Sequence, residues 1–244
     1  MLINPYPKIA APTASTVVKG FTPSPPAAAL LQPDMAPAQY LSTLEQNNLS
    51  GDAIHTLAHG MPERESVWYA CQSSQRVADK LPSADSAALK AAEAWVKNPN
   101  PATQANAAAA AAATNYQGPG AWAAQGAAWS TSTPGAPPPP AIPGISPSSL
   151  TPRATAGSVQ LASALEGGAP MPALDLPALQ APVPPSLEAP AAPTLQMPGL
   201  AAPAAPAAPQ PPQPSPPELQ KTAQVQKPYV DLGKDIAAGK NTWG

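Results

Sequence analysis

Apolar residues recur at three- and four-residue spacings through the middle of the chain. Leu41, Leu44, Ile54, Leu57, Val67, Trp68, Cys71, Val77, Leu89, Trp95 and Val96 carry this rhythm. It gathers side chains on one face of a helix, and the strict alternation of a half-buried strand is nearly absent. Helix starts share one grammar: a proline in the first turn loses no hydrogen bond, because that N–H has no partner within the helix, and its φ is already helical. Pro37, Pro62, Pro101, Pro119 and Pro152 fit that place, with Asn100 and Thr151 as caps ahead of two of them. These cues predict helices over 37–47, 51–60, 62–80, 84–97, 101–114, 119–130 and 152–166, the last stopped by Gly167-Gly168. That last helix follows a proline-rich connection, 133–150, yet Val159, Leu161 and Leu165 give it an apolar face that must be covered by the others. The predicted fold is all-α, a small irregular helical bundle.

Composition then limits how much of the chain can fold. Proline accounts for 39 of 244 residues and alanine for 54, whereas Leu, Ile, Val and Phe together number 36. That is under the level of about 20% below which chains tend toward disorder. The branched aliphatics are too few to fill a core, and tryptophan compensates. Trp68, Trp95, Trp122 and Trp129 lie in the predicted helices, and indoles against alanine faces such as Ala107–Ala113 fill space efficiently. Proline density sets the boundaries, since 36–132 holds 6 prolines and 170–217 holds 17. The expected organisation is a disordered N-terminal arm over 1–35, a helical domain over 36–168 with a proline-rich loop at 133–150, and a Pro/Ala-rich linker over 169–217. The linker is expected to be a stiff polyproline II spacer. A short C-terminal docking peptide over 218–244 follows it.

Charge and missing motifs exclude several functions. With 12 basic and 14 acidic residues the chain lacks the cationic footprint of a nucleic-acid binder. Cys71 is the single cysteine, so no internal disulfide is expected. The N-terminus lacks the pattern of a signal peptide, and no run approaches the roughly 20 apolar residues of a membrane span. A cytoplasmic protein is expected. No GxGxxG, GxxxxGK[ST] or CxxC occurs, so no cofactor is expected.

Few residues carry candidate chemistry. His55 and His59 are four apart and share a helix face, as two metal ligands would, but Thr56 stands where a zincin has glutamate and no third ligand has defined spacing. They are weak metal candidates, and no metal site is assigned. Cys71 falls on the apolar stripe, where thiols are mostly inert, so no catalytic residue is assigned. Arg64 lies four residues before Trp68, and the two could form part of a binding surface. The C-terminus is richer. After the Pro/Ala tract, Tyr229, Val230, Leu232, Ile236 and Trp243 are anchors of the kind a docking peptide uses, and 230–236 could form one or two helical turns on a partner.

Three strings considered together carry a family resemblance: Pro62-Glu63-Arg64-Glu65-Ser66-Val67-Trp68-Tyr69-Ala70-Cys71, Ala92-Glu93-Ala94-Trp95-Val96-Lys97-Asn98-Pro99 and Pro119-Gly120-Ala121-Trp122-Ala123-Ala124-Gln125-Gly126-Ala127-Ala128-Trp129-Ser130. Over roughly 36–166 the chain resembles an uncharacterised bacterial family, the domain of unknown function 6931. It departs from it at Ala128, where an aromatic is usual, and at Thr131-Ser132, where a glycine pair often follows. The resemblance implies a small all-helical cytoplasmic protein from type VI secretion gene clusters and no catalytic residues. The expected function is that of a non-enzymatic protein-binding adaptor, its domain and tail peptide holding separate protein partners such as a secretion-system component or an effector. The alternatives are a metal- or thiol-dependent enzyme using His55, His59 and Cys71, and a structural tether in an envelope or phage-like assembly.

Overall fold

The computed structural model describes residues 4–168, 215–240 and Trp243. These belong to one packed unit, and the second unit, Ala173–Pro214, lies outside the described residues. Among the described residues there are ten α-helices and no strand: α1 (Ala14–Val18), α2 (Pro25–Leu30), α3 (Pro37–Gln46), α4 (Ser50–Gly60), α5 (Glu63–Gln75), α6 (Ser83–Lys97), α7 (Pro101–Ala113), α8 (Pro119–Ala128), α9 (Leu150–Gly167) and α10 (Pro216–Ala237). The all-α bundle is as expected, and α3 to α9 start and stop within a few residues of their predicted bounds. The exception is the stretch 62–80, where α5 ends at Gln75 and a separate 3₁₀ turn covers Ala78–Lys80.

Local chemistry explains the helix ends. Asn100 caps α7: its side chain accepts from the N–H groups of Ala102 (2.9 Å) and Thr103 (3.0 Å), while the Thr103 hydroxyl oxygen accepts from the Asn100 N–H (3.2 Å). Thr151, expected as a cap, instead lies inside the first turn of α9 and donates its hydroxyl to the Gly126 carbonyl at 2.9 Å. Pro62 and Pro152 sit just before and just inside their helices, where a missing N–H still costs nothing.

The core is built around α8, which packs on α5, α6, α7 and α9. Every residue from Pro119 to Ala127 is buried. Small side chains let its neighbours come close, and Gly120 shows how close: a Cβ there would stand 2.3 Å from the Asp85 carbonyl oxygen. The Asp85 side chain, buried in the same place, accepts from the N–H groups of Gly120 (3.2 Å) and Ala121 (2.6 Å). These are the free donors at the start of α8, so the carboxylate both caps the helix and neutralises its positive end. Indoles fill what the alanines leave. Trp95 is fully buried and donates Nε1–H to the Thr133 hydroxyl at 2.9 Å, and Trp122 and Trp129 meet edge to face with centroids 6.3 Å apart.

The N-terminal arm does not match its expectation. Residues expected to be disordered form α1 and α2, and Ile9, Val17, Val18, Phe21 and Met35 are buried in the core. Composition misled because most of the described prolines of this arm fall in bends, turns and first helical turns, where they cost nothing, while its large apolar residues among the described ones are buried or partly buried. Polar ties fasten it. The Ser24 N–H and hydroxyl donate to Asp52 (2.8 and 2.7 Å), the Tyr40 hydroxyl donates to the Ala27 carbonyl (3.0 Å), and the Ala14 N–H donates to the Met35 carbonyl (2.7 Å).

The expected linker over 169–217 lies outside the described residues except for Ser215, Pro216 and Pro217. Ser215 caps α10 and Pro216 and Pro217 open it, so the C-terminal peptide expected over 218–244 contributes, up to Ala237, to a 22-residue helix that starts at Pro216. Ser215 and Glu218 form its capping box: the Ser215 N–H and hydroxyl donate to Glu218 Oε2 at 2.8 and 2.6 Å. Pro228 falls inside α10 but on its exposed side, and the carbonyl it leaves without a donor belongs to Gln224, also exposed.

Candidate functional site

The face α10 buries reads Ala223, Gln226, Tyr229, Val230, Gly233, Ile236 and Ala237, a three–four spacing that forms one stripe along a helix. This stripe lies in a groove formed by α4, α5 and α9. Tyr229 and Val230 are fully buried and Ile236 nearly so. Gly233 sets the depth of the fit, because a Cβ there would stand 2.8 Å from Tyr69 Cζ and 2.9 Å from Leu57 Cδ1. A larger residue would hold the helix away from both walls.

Polar groups fix its register. The Tyr69 hydroxyl, buried under α10, donates to the Tyr229 carbonyl at 3.0 Å. The Tyr229 hydroxyl donates to Glu166, which is also held by Arg76 at 3.1 Å, and the Arg76 guanidinium lies over the Tyr229 ring at 5.0 Å. Burial and the Glu166 carboxylate both push the Tyr229 phenol above its ordinary value, so it remains a hydrogen-bond donor. Lys234 bridges to Glu45 of α3 and Asp231 of its own helix, each at 2.9 Å. Beyond the helix end, Lys8 donates its N–H to the Ala237 carbonyl at 3.0 Å, closing an orphan acceptor of the last turn.

The anchors expected to face a separate partner are therefore seated within the chain's own domain. Leu232 is partly buried against the same core, and Trp243 is partly buried as well. The Arg64 guanidinium lies 4.2 Å above the Trp243 ring, and Trp68 meets that ring edge-on at 6.5 Å. Arg64 also donates to the Val96 (2.6 Å) and Lys97 (3.2 Å) carbonyls at the end of α6, a cation at the negative end of a helix. Trp68, expected as part of a domain surface, is buried. The amphipathic pattern of α10 was present in the sequence, as was the Ser215–Glu218 capping signature; Pro228 broke up the pattern, and only the groove shows where the stripe goes.

The remaining candidates behave as packing groups. His55 and His59 do share a face of α4, but both rings lie against Phe21, with centroids 5.2 and 5.1 Å away, and 6.2 Å from each other. Burial lowers their pKa values to about 4 and about 3, and Arg153 contributes to both shifts, so both are neutral at pH 7. Cys71 is fully buried, and burial pushes its thiol well up, away from the thiolate that a nucleophile needs. Glu63 clamps the loop after α8, accepting from the N–H groups of Thr131 (2.8 Å) and Ser132 (2.9 Å). Among the described residues no three His, Cys, Asp or Glu side chains are grouped to hold a metal ion, and no helix is long and apolar enough to cross a membrane.

A family model described as a family of unknown function, DUF6931, matches residues 40–175. The chain belongs to this family. The match runs from α3 through α9, which includes all three groove walls, and stops before α10. No curated protein and no solved structure matches the chain.

Proposed function

We propose that the protein is a non-enzymatic protein-binding adaptor whose groove between α4, α5 and α9 seats an amphipathic helix, with α10 as the chain's own occupant. One observation carries the reading: α10 is separated from α9 by 48 residues, 168–215, yet it has its own capping box, a single anchored face and a charged outer face. Those are the attributes of a helix that docks into a groove. Tethering raises the local concentration of such a helix at its groove, so a modest intrinsic affinity keeps it seated while a stronger partner helix can exchange with it. The buried thiol and the stacked, uncharged imidazoles supply no nucleophile or base, which supports binding over catalysis. Type VI secretion is the proposed setting, on the strength of the family resemblance, with an effector or an apparatus component as client.

The test cuts the full-length protein at a protease site engineered into 169–214. The expected result is that the C-terminal fragment stays bound after cleavage, exchanges with added synthetic peptide 215–244, and fails to exchange with the same peptide carrying Tyr229→Ala. Emptying the groove should then increase capture of proteins from the cell of origin. A fragment that no competitor displaces without unfolding the domain would make α10 a permanent part of the core and sink the reading.

A further inference from the structure

A cleft of about 470 Å³ opens between the turn after α1, the end of α4 and the loop that leads into α9. It lies away from the α10 groove. Lys19, Gly20, His59, Ser146, Ser149 and Arg153 supply its polar wall, and no carboxylate lines it. In a chain of net charge −2, two cations facing one concavity without a counter-charge form a local positive field.

Two polar nitrogens behind this wall have nothing to bond. His59 Nε2 and Arg153 Nε are buried without a hydrogen-bond partner. Leaving such a group buried and unpaired is costly. The rest of the wall is held in shape. Arg153 Nη2 donates to the Gly20 carbonyl at 3.2 Å, fixing the guanidinium. Gly20 passes so close over His59 that a Cβ would fall 2.4 Å from Nδ1. Opposite, Ile142-Pro143-Gly144-Ile145 turns tightly, with the Ile145 N–H on the Ile142 carbonyl at 3.0 Å and Gly144 at φ +77°. Pro143 and Gly144 are the residues that a type II turn prefers at its two centres. The turn delivers Ser146 and Ser149 to the start of the 18-residue α9, whose first turn adds a partial positive charge.

We propose that this cleft binds a small molecule through a phosphate group, with the Arg153 guanidinium and Lys19 ammonium neutralising its charge and the Ser146–Ser148 hydroxyl pair, which shares one hydrogen bond at 2.9 Å and so keeps one proton free, donating to it. A tetrahedral dianion matches two cations and several converging donors better than a carboxylate does. The volume exceeds what a bare phosphate fills and lies in the range of small-molecule sites, so the group is carried on a larger molecule.

Calorimetric titration of the full-length protein at constant ionic strength, with inorganic phosphate in one arm and glycerol 3-phosphate in the other, tests this. Saturable binding is expected in both arms, tighter for the ester. Arg153→Gln should weaken it about tenfold or more, as loss of a charge-assisted bond does. Lys19→Gln, at an exposed side chain that the fold does not need, should weaken it severalfold and guards against a folding artefact. Equal affinity in the two arms would overturn the larger ligand and leave a free-phosphate site. Absence of binding in both arms at millimolar concentration, or binding that neither variant changes, would overturn the site.

Discussion

α8 and α10 are both helices pressed against the same bundle, and they are held by different physics. α8 has no charged residue, is buried from Pro119 to Ala127 and, apart from Pro119 and Gln125, is built from alanine, glycine and one indole. Its place is fixed by volume, since Gly120 touches backbone and nothing there can give way. α10 buries one stripe and keeps Lys221, Lys227 and Asp235 outside. A few anchors and directed polar contacts with Glu166, Tyr69 and Glu45 fix its place. Close packing of small residues makes an element inseparable from its neighbours, whereas anchors on one face leave it removable.

The sharpest way to break the α8 side is Trp95→Ala. It removes the largest fully buried side chain and leaves Thr133 without its donor, so a loss of about 3–5 kcal/mol is expected. Urea denaturation should show the whole bundle melting earlier, α10 included.

Acid probes the seam between α4 and the N-terminal segment. The folded-state pKa values of His55 and His59 are lowered, to about 4 and about 3. The unfolded chain therefore takes up protons first, and stability present above pH 6.5 is lost as pH falls toward those values. Each imidazole contributes about 1.4 kcal/mol per pH unit below 6.5, or about 2 kcal/mol by pH 5. Hydrogen exchange at pH 7 and pH 5 should show protection lost first around Phe21, which stacks on both rings. A profile flat between those pH values would mean that the rings are not buried neutral.

A matched glycine pair sharpens the comparison. Gly120→Ala drives a methyl into the Asp85 backbone and should cost about 3 kcal/mol across the entire fold, near the upper end for overpacking. Gly233→Ala meets only the ends of Tyr69 and Leu57 side chains and should cost about 1 kcal/mol. Exchange protection should drop across α10 alone while α8 and α9 keep theirs. Equal global effects of the two variants would erase the distinction.

The smallest effect belongs to Lys227→Ala. Its ion pair with Asp231 spans 3.1 Å between largely exposed side chains, and such pairs are worth under about 0.5 kcal/mol. The melting temperature should not move measurably, and a clear shift would mean that the outer face of α10 is also engaged.

Seven of the ten helices could be read from the chain, because proline punctuation and three–four apolar spacing are local and the helix period is the one solution that fits both. Asn100 could be read as a cap for the same reason, and Trp95 as core. The candidate groove could not. Tyr229, Val230 and Ile236 were recognisable as anchors, but an anchor's partner lies elsewhere in the sequence, and nothing local to 229–236 names Tyr69 or Leu57.

By itself, then, the sequence determined an all-helical architecture, the extent of α3 to α9 and a core of indole against alanine, all set by short-range backbone geometry and the scarcity of other large apolar residues. Tertiary structure decided what happens at both ends of the chain. Residues 4–35 looked too proline-rich to order and are ordered by the cover that α3 and α4 give to Ile9, Phe21 and Met35. The C-terminal segment looked like a free peptide and is a seated helix, because Gly233 lets it close onto α4 and α5. Burial is a relation between distant segments, and where the apolar residues are sparse, only the surface they meet decides whether a segment folds.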